Sequence, residues 1–116
     1  MNEFDIPIFQ KSYELYKLFH QYRQAAPRQE RHTSFARAEK LILDIIENIL
    51  RAGQSAKTDK GPFLEKASSS LNVLRVLVRL IKDVKAIDVK KYMRLQELID
   101  EIGRMLGGWI RSVRNG

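Results

Sequence analysis

The chain has 116 residues and no cysteine, which excludes a disulfide framework and thiolate metal sites. Its net charge of +7 is uneven, because residues 1–56 carry +1 whereas residues 57–116 carry +6. A basic half favours contact with polyanions, although a positive surface can also serve solubility alone. The chain has no run of 18 apolar residues, and residues 1–9 lack a basic region. We therefore expect neither a membrane span nor a signal peptide, and we expect a cytoplasmic location.

Two stretches in the first half have helical spacing. The first predicts a helix over about residues 6–25, which Pro27 ends because the residue before proline avoids the α region. The second predicts a helix over about residues 31–52, with Thr33 or Ser34 as its cap and Gly53 as its stop. Their core stripes are Ile8, Leu15, Phe19 and Tyr22 in the first helix, and Phe35, Ala38, Ile42, Ile45 and Ile49 in the second.

Two longer stretches follow in the second half. One predicts a helix over about residues 62–85 that opens at Pro62, since proline is favoured at the first helical position. The other predicts a helix over about residues 88–114, with Asp88 as its N-cap and Trp109 in its core stripe. The remaining core positions are Leu64, Ala67, Leu71, Leu74, Val78 and Ile81, then Tyr92, Leu95, Ile99, Ile102, Leu106 and Val113.

These four helices predict an all-α fold. No segment alternates with a period of two, so we expect no strand. Short loops between long helices make sequential neighbours antiparallel. We predict a single domain over residues 1–116, folded as an antiparallel up-down four-helix bundle.

The third predicted helix has more apolar surface than a bundle core requires. Its apolar arc covers roughly 200°, where a core-facing stripe needs little more than 100°. The surplus side is formed by Val73, Leu77, Leu80 and Val84. Either this helix is buried centrally within the monomer, or these residues form a subunit contact, which we favour.

Candidates for catalysis are few. The chain has two histidines, and neither His20 nor His32 follows a glutamate three residues earlier, as the di-metal sites of four-helix bundles require. We expect both to be exposed and to play no part as ligand or base. A carboxylate cluster, Glu97, Asp100 and Glu101, is better explained by a ladder of salt bridges with Arg94 and Arg104. We therefore expect no catalytic residue, no metal, no cofactor and no enzymatic activity.

Basic residues form a stronger pattern. Six candidate contacts for a nucleic acid or a partner lie on the last two predicted helices: Arg75, Arg79, Lys82, Arg104, Arg111 and Arg114. Arginine binds phosphate and carboxylate groups well, so such a row can hold RNA or DNA. The alternative is that these side chains pair with acids on a neighbouring helix. Gly103, Gly107 and Gly108 lie beside the arginines of the last helix and predict a close approach, by packing or by a phosphate.

Two sequence strings carry a family resemblance. Residues 74–80 read LRVLVRL and residues 98–110 read LIDEIGRMLGGWI, with the string at 103–110 the more specific. Together they resemble the accessory variability determinant (Avd) proteins of diversity-generating retroelements. More broadly, they resemble the small four-helix proteins encoded by intervening sequences in bacterial large-subunit ribosomal RNA genes.

The resemblance implies a fold, partners and site residues. It implies a four-helix bundle that assembles as a homopentameric ring with a positively charged pore. It also implies binding to nucleic acid and to a reverse transcriptase, in support of mutagenic copying of a template RNA into cDNA. Arg75, Arg79 and Arg104 match the family's basic positions, while Arg111 falls where this sequence departs from the motif.

An alternative function stays open beside the first. The intervening-sequence relatives share the bundle without an assigned role, and as a protein of that type this chain would act as a protein–protein interaction module without a role in nucleic-acid binding. In that case the apolar side of the third helix makes the contact and the arginines only border it.

Overall fold

The computed structural model describes residues 6–115, and the only regular secondary structure over that range is helical. Residues 1–5 and 116, which the predicted domain included, lie outside the described residues. The helices are α1 (Pro7–Ala25), α2 (Arg28–Arg31), α3 (Ser34–Gln54), α4 (Lys60–Asp83) and α5 (Val89–Asn115), with a 3₁₀ turn at Lys57–Asp59. The four long helices match the four predicted ones in order and approximate position.

The four long helices form an elongated bundle of 46 × 22 × 21 Å. Each packs on two others, since α1 contacts α3 and α5, and α4 contacts the same two helices. Ion pairs of Arg75 with Asp100 and of Arg114 with Glu65 show that α4 and α5 run antiparallel. No helix among residues 6–115 is long and apolar enough to cross a membrane.

The core is formed by the predicted apolar stripes. Every predicted stripe residue of α3 and α4 is buried, and Phe19 and Phe35 place their ring centroids 5.3 Å apart between α1 and α3. Burial of this kind stabilises the fold by ~1.5–3 kcal/mol for each large apolar side chain. The prediction is less accurate for α5, where Tyr92, Trp109 and Val113 are only partly buried, and for Tyr22 of α1, which is also partly buried.

Helix ends differ from the prediction at three places. The cap predicted at Thr33 or Ser34 is wrong, because neither side chain caps α3 and the Thr33 hydroxyl points back to the carbonyls of Gln29 and Glu30. Pro62 does not open α4, since the 3₁₀ turn leads into the helix at Lys60. Proline is tolerated at the third position because the first four N–H groups lack helical partners. Gly53 lies inside α3, which ends one residue later.

Two predicted helix boundaries are confirmed. Chain direction changes at Ala26 and Pro27, immediately after α1. Asp88 caps α5, because its Oδ1 accepts a hydrogen bond of 2.8 Å from the backbone N–H of Lys91. Between α4 and α5, Lys85 has a φ of 65° and Ala86 donates to the carbonyl of Ile81 at 3.0 Å. This left-handed residue closes α4 and turns the chain toward α5 within a few residues.

Candidate functional site

The predicted basic residues lie along the line where α4 and α5 meet, which we call the seam. It comprises Arg75, Arg79 and Lys82 on α4 and Arg104, Arg111 and Arg114 on α5. Because the two helices are antiparallel, Arg114 lies at one end of the seam and Lys82 at the other. Successive residues rise ~1.5 Å along a helix, so the α4 portion spans ~10 Å and the α5 portion ~15 Å.

A groove at the middle of the seam brings two predicted residues together. Arg75 and Arg104 both line it, and its volume is about 360 Å³. Its other lining residues are Ser68, Leu71, Asn72, Asp100, Gly103, Leu106 and Gly107. The walls thus combine two guanidinium groups with a hydroxyl, an amide and one carboxylate. Such a groove can accept an anionic group, provided that the carboxylate of Asp100 does not already accept a hydrogen bond from Arg75.

The carboxylate of Asp100 does accept a hydrogen bond from Arg75 in this structure. Nη1 of Arg75 donates to Oδ1 of Asp100, and both side chains are partly exposed. Exposed ion pairs contribute only ~0–1 kcal/mol, so a competing phosphate can displace this one at little cost. Arg104 is exposed, and no ion pair to it is found among residues 6–115. The predicted ladder is therefore incomplete, since Glu101 pairs instead with Lys11 of α1 at 3.6 Å.

Gly103 determines where Arg75 lies. A Cβ at position 103 would stand 2.7 Å from Nη2 of Arg75 and 3.5 Å from Cδ2 of Leu71. The glycine therefore lets the guanidinium group lie against the backbone of α5. Gly107 is less constrained, because a Cβ there would meet only Nη1 of Arg111 at 3.5 Å. The close approach predicted for these glycines is made at position 103 by side chains of α4.

The other four seam residues do not enter the groove. Arg79 is well exposed, with its Nε 3.8 Å from Asp83, and Nζ of Lys82 lies 3.2 Å from the same carboxylate. Arg114 donates to Glu65 at 2.7 Å. Arg111 lies over the backbone of Gly107 and Gly108 on its own helix. Several seam residues therefore do pair with acids, as the alternative predicted. The pairs of Arg75 and Arg114 join α4 to α5.

The predicted subunit contact on α4 is largely exposed, and we call it the α4 patch. Val73, Leu80 and Val84 are 44%, 48% and 51% exposed, while Leu77 is partly buried. The alternative that α4 is buried centrally in the monomer is therefore wrong. Three patch residues line a groove of about 390 Å³ against α2 and the start of α3, with Arg37 at its edge. At 100° per residue, the patch and the α4 part of the seam are about 160° apart.

A comparison with known protein families assigns the chain to one of them. The model of a family described as bAvd-like matches residues 7–113, which include nearly all of the four long helices. The chain belongs to the bAvd-like family. At the level of the family, this match supports an accessory protein of the Avd type. A search among curated proteins gives no match for the chain.

A charged cluster at the other side of this bAvd-like protein was not predicted. Glu39 of α3 is only 6% exposed, yet His20 and Arg23 of α1 both reach it. Nδ1 of His20 donates to Oε1 at 2.7 Å, and Arg23 also donates to the carbonyl of Arg31 at 2.9 Å. Gln24 donates to Nε2 of His20 at 3.2 Å, so a neutral ring protonated on Nδ1 satisfies both contacts. The cluster fastens α1 to α3 and to α2.

Opposing effects act on the carboxyl of Glu39. Burial on its own raises the pKa of Glu39, but the hydrogen bonds from His20 and Arg23 outweigh it and hold that pKa below its ordinary value. Burial, together with the Glu39 charge, raises the pKa of Tyr16. The sequence does contain a signal, since Glu39 falls at i+4 from Phe35 on the apolar face of α3 and so had to be buried and paired.

No metal-binding group of side chains accompanies these clusters in the described part of the chain. Among residues 6–115, no group of three or more histidine, aspartate or glutamate side chains is arranged to hold a metal ion. His32 is exposed at the break between α2 and α3, while His20, also exposed, is bound to Glu39.

The Glu39 cluster predicts an acid-sensitive contribution to stability. We expect Glu39→Gln to lower the free energy of unfolding at neutral pH by ~1.5–3 kcal/mol, since it removes hydrogen bonds to a charged group. Because the pKa of Glu39 is lower in the folded than in the unfolded protein, its ionised carboxylate stabilises the fold at pH values above the unfolded pKa of about 4.5. This stabilisation is lost as the pH falls through the folded-state pKa. Urea unfolding of wild type and variant should therefore converge below about pH 4.5. Glu47→Gln, which breaks an exposed pair with Arg51, is the control and should change little.

Gly103 predicts a second measurable effect. Gly107→Ala should raise the free energy of unfolding by up to ~1 kcal/mol through helix propensity, because the added methyl meets only an ordinary contact. Gly103→Ala should gain less, because it must push Arg75 away from α5 and from Asp100. In a double-mutant cycle, Asp100→Asn should then have no further effect. A Gly103→Ala variant as stable as Gly107→Ala, with the Arg75–Asp100 coupling intact, would contradict this role.

Proposed function

We propose that this chain is a non-enzymatic accessory protein of the Avd type that forms a homo-oligomeric ring and binds nucleic acid and a reverse transcriptase. It would act in a diversity-generating retroelement, supporting the mutagenic copying of template RNA into cDNA. One observation carries the proposal: α4 presents an exposed apolar patch and a row of cations on nearly opposite sides, in a chain of the bAvd-like family. One side serves self-assembly and the other serves a polyanion.

Self-assembly rests on the α4 patch. Contiguous exposed apolar side chains on a small protein mark a contact surface, because leaving them in water forgoes their burial energy. The patch continues into Val76, which is 67% exposed. A ring needs a heterologous contact, in which the patch meets a different surface of the next subunit. The resemblance of residues 74–80 and 98–110 to Avd proteins is what supports five subunits.

Nucleic-acid binding rests on the seam. Arg104 and Arg111 have no acid partner among residues 6–115, and Arg75 holds its partner only through an exposed pair. Phosphate contacts of this kind bind through counterion release, so they are strongly salt-dependent and read little sequence. A reverse transcriptase would meet the same cations through an acidic surface, or meet the ring through its remaining apolar side chains.

The seam predicts a binding defect that can be measured. Fluorescence anisotropy with a labelled single-stranded RNA should show wild-type affinity falling roughly tenfold or more between about 50 and 200 mM salt. Arg75→Gln with Arg104→Gln should weaken binding and lower the slope of log K against log salt by ~1.4, at ~0.7 per phosphate contact. Lys17→Gln with Arg51→Gln removes the same charge from α1 and α3 and should change little. Wild-type affinity that is absent or indifferent to salt would refute nucleic-acid binding.

The α4 patch predicts the oligomeric state. Light scattering on the purified protein should give a mass near five times the monomer mass of 13.5 kDa. Leu80→Asp with Val84→Asp should yield a folded monomer, because each places a charge in the subunit contact. The control, Tyr13→Asp with Leu43→Asp, changes two similarly exposed apolar residues of α1 and α3 and should leave the mass unchanged. A wild-type monomer would contradict the ring.

The interaction module remains the second candidate, and the paired cations favour it. Arg114 and Arg75 each already hold an acid on the neighbouring helix. If those pairs are their whole role, charge reversal at Arg75 and Arg79 should spare partner binding, and RNA should not bind. The two anisotropy variants and the charge-reversed variant therefore separate the two functions.

A further inference from the structure

One end of each long helix and the short helix α2 meet at one end of the bundle. Nζ of Lys91, at the start of α5, lies 5.4 Å from the ring centroid of Tyr22, near the end of α1. Nζ of Lys82, at the end of α4, lies 4.7 Å from the ring centroid of Tyr92. The groove beside the α4 patch joins the end of α4 to α2 and to the start of α3. Residues far apart in the sequence, near 30 and near 85, are therefore neighbours in space.

Seven cations gather on this surface, which we call the basic end. They are Arg28, Arg31, Arg37, Lys82, Lys85, Lys90 and Lys91. The acids in the same region are already engaged. Asp88 caps α5, Asp83 lies against Arg79 and Lys82, and Glu30 accepts a hydrogen bond of 3.1 Å from Ser34. The acids therefore leave most of this positive charge uncompensated.

Of these seven cations, six have no ion pair within residues 6–115, the exception being Lys82, and four of the six have well-exposed side chains. These four are Arg28, Arg37, Lys85 and Lys90. The left-handed backbone of Lys85 fixes its position at the tip of the turn between α4 and α5. Lys82 and Lys91 rest on tyrosine rings, which hold their ammonium groups at the surface. A ligand can therefore bind several cations of the basic end without displacing a carboxylate.

The opposite end of the bundle differs in this respect. Arg51 pairs with Glu47 at 3.3 Å, and Arg114 pairs with Glu65. Lys60 donates to the carbonyls of Ala52 and Ser55 at 2.6 and 2.8 Å. Two exposed cations there, Lys66 and Arg111, have no ion pair among residues 6–115, against four such cations at the basic end. The two ends therefore differ in how available their charge is.

We infer that the basic end is a phosphate-binding surface for single-stranded nucleic acid, which shares only Lys82 with the seam. This inference rests on the proposed function and locates the stronger of its contacts. Lysines, which are the majority here, act as point charges that suit a repeating phosphate backbone better than the bidentate recognition of one carboxylate. Cyclic symmetry places equivalent points at one height, so a ring would gather every basic end on one circle. A strand could then contact several subunits at once, with the gain of linked sites.

The test compares two variants that lose the same charge. The basic-end variant carries Arg28→Gln, Lys85→Gln and Lys90→Gln, and the control carries Lys17→Gln, Arg51→Gln and Lys66→Gln. All six residues are exposed, so circular dichroism and light scattering should match wild type. Anisotropy with labelled oligouridylate should show at least ~tenfold weaker binding and a salt slope lower by ~2 for the basic-end variant only. Lys85→Gln with Lys90→Gln alone should lower the slope by ~1.4.

The possible outcomes separate the two levels of the proposal. If wild type binds RNA and the basic-end variant behaves like the control, the basic end is not the site, while nucleic-acid binding stands. If wild type binds neither oligouridylate nor single-stranded DNA, the proposed binding function fails and this inference fails with it. A parallel titration with polyglutamate tests whether the basic end binds an acidic protein instead of a nucleic acid. If the basic-end variant loses polyglutamate binding and keeps RNA binding, the surface serves an acidic protein and the inference is overturned.

Discussion

The rotation of α4 about its own axis is the constraint on which the rest of the structure depends. Burial of Leu64, Leu71, Leu74, Val78 and Ile81 against α3 and α5 fixes that rotation, because turning the helix would expose several large apolar side chains. Once it is fixed, Arg75 must lie toward α5, and Val73 and Leu80 must lie toward solvent. The positions of the α4 patch and of the seam therefore both follow from the burial of this one apolar stripe. A change in the buried stripe would move both surfaces together.

Periodicity explains most of what the sequence predicted correctly. The 3-4 spacing from Phe35 to Ile49 and from Leu64 to Ile81 specifies a buried face without reference to any other helix, and these positions are buried. Caps were less predictable, because a cap depends on the direction in which the chain arrives. Asp88 follows a tight turn and reaches the N–H of Lys91, whereas the short helix α2 brings the chain to Thr33 with its hydroxyl turned back.

Relative position along neighbouring helices was beyond the sequence pattern. Spacing places Arg75 on one face of α4 and Asp100 on one face of α5, but it does not give the axial offset that lets them meet. That offset comes from core packing and from the length of the turn at Lys85. The absence of a Cβ at Gly103 then allows the guanidinium group to settle against α5. Glu39 is the converse case, since its place on an apolar face is a sequence signal for a buried and paired carboxylate, but that signal does not identify the residues that pair with it.

Charge is the property that the fold redistributes most. Counted along the chain, the basic excess lies almost wholly in residues 57–116, at +6 against +1. The antiparallel bundle instead places Arg28, Arg31 and Arg37 of the nearly neutral half at the same end as Lys85 and Lys90 of the basic half. Helix ends, unlike helix faces, combine residues from every element, so their charge cannot be read from any one segment. The family strings at 74–80 and 98–110 mark the seam, whereas the cations least engaged by acids lie largely outside them. The proposed recognition of a polyanion is therefore better sought where the helices end than along the two helices that carry the family strings.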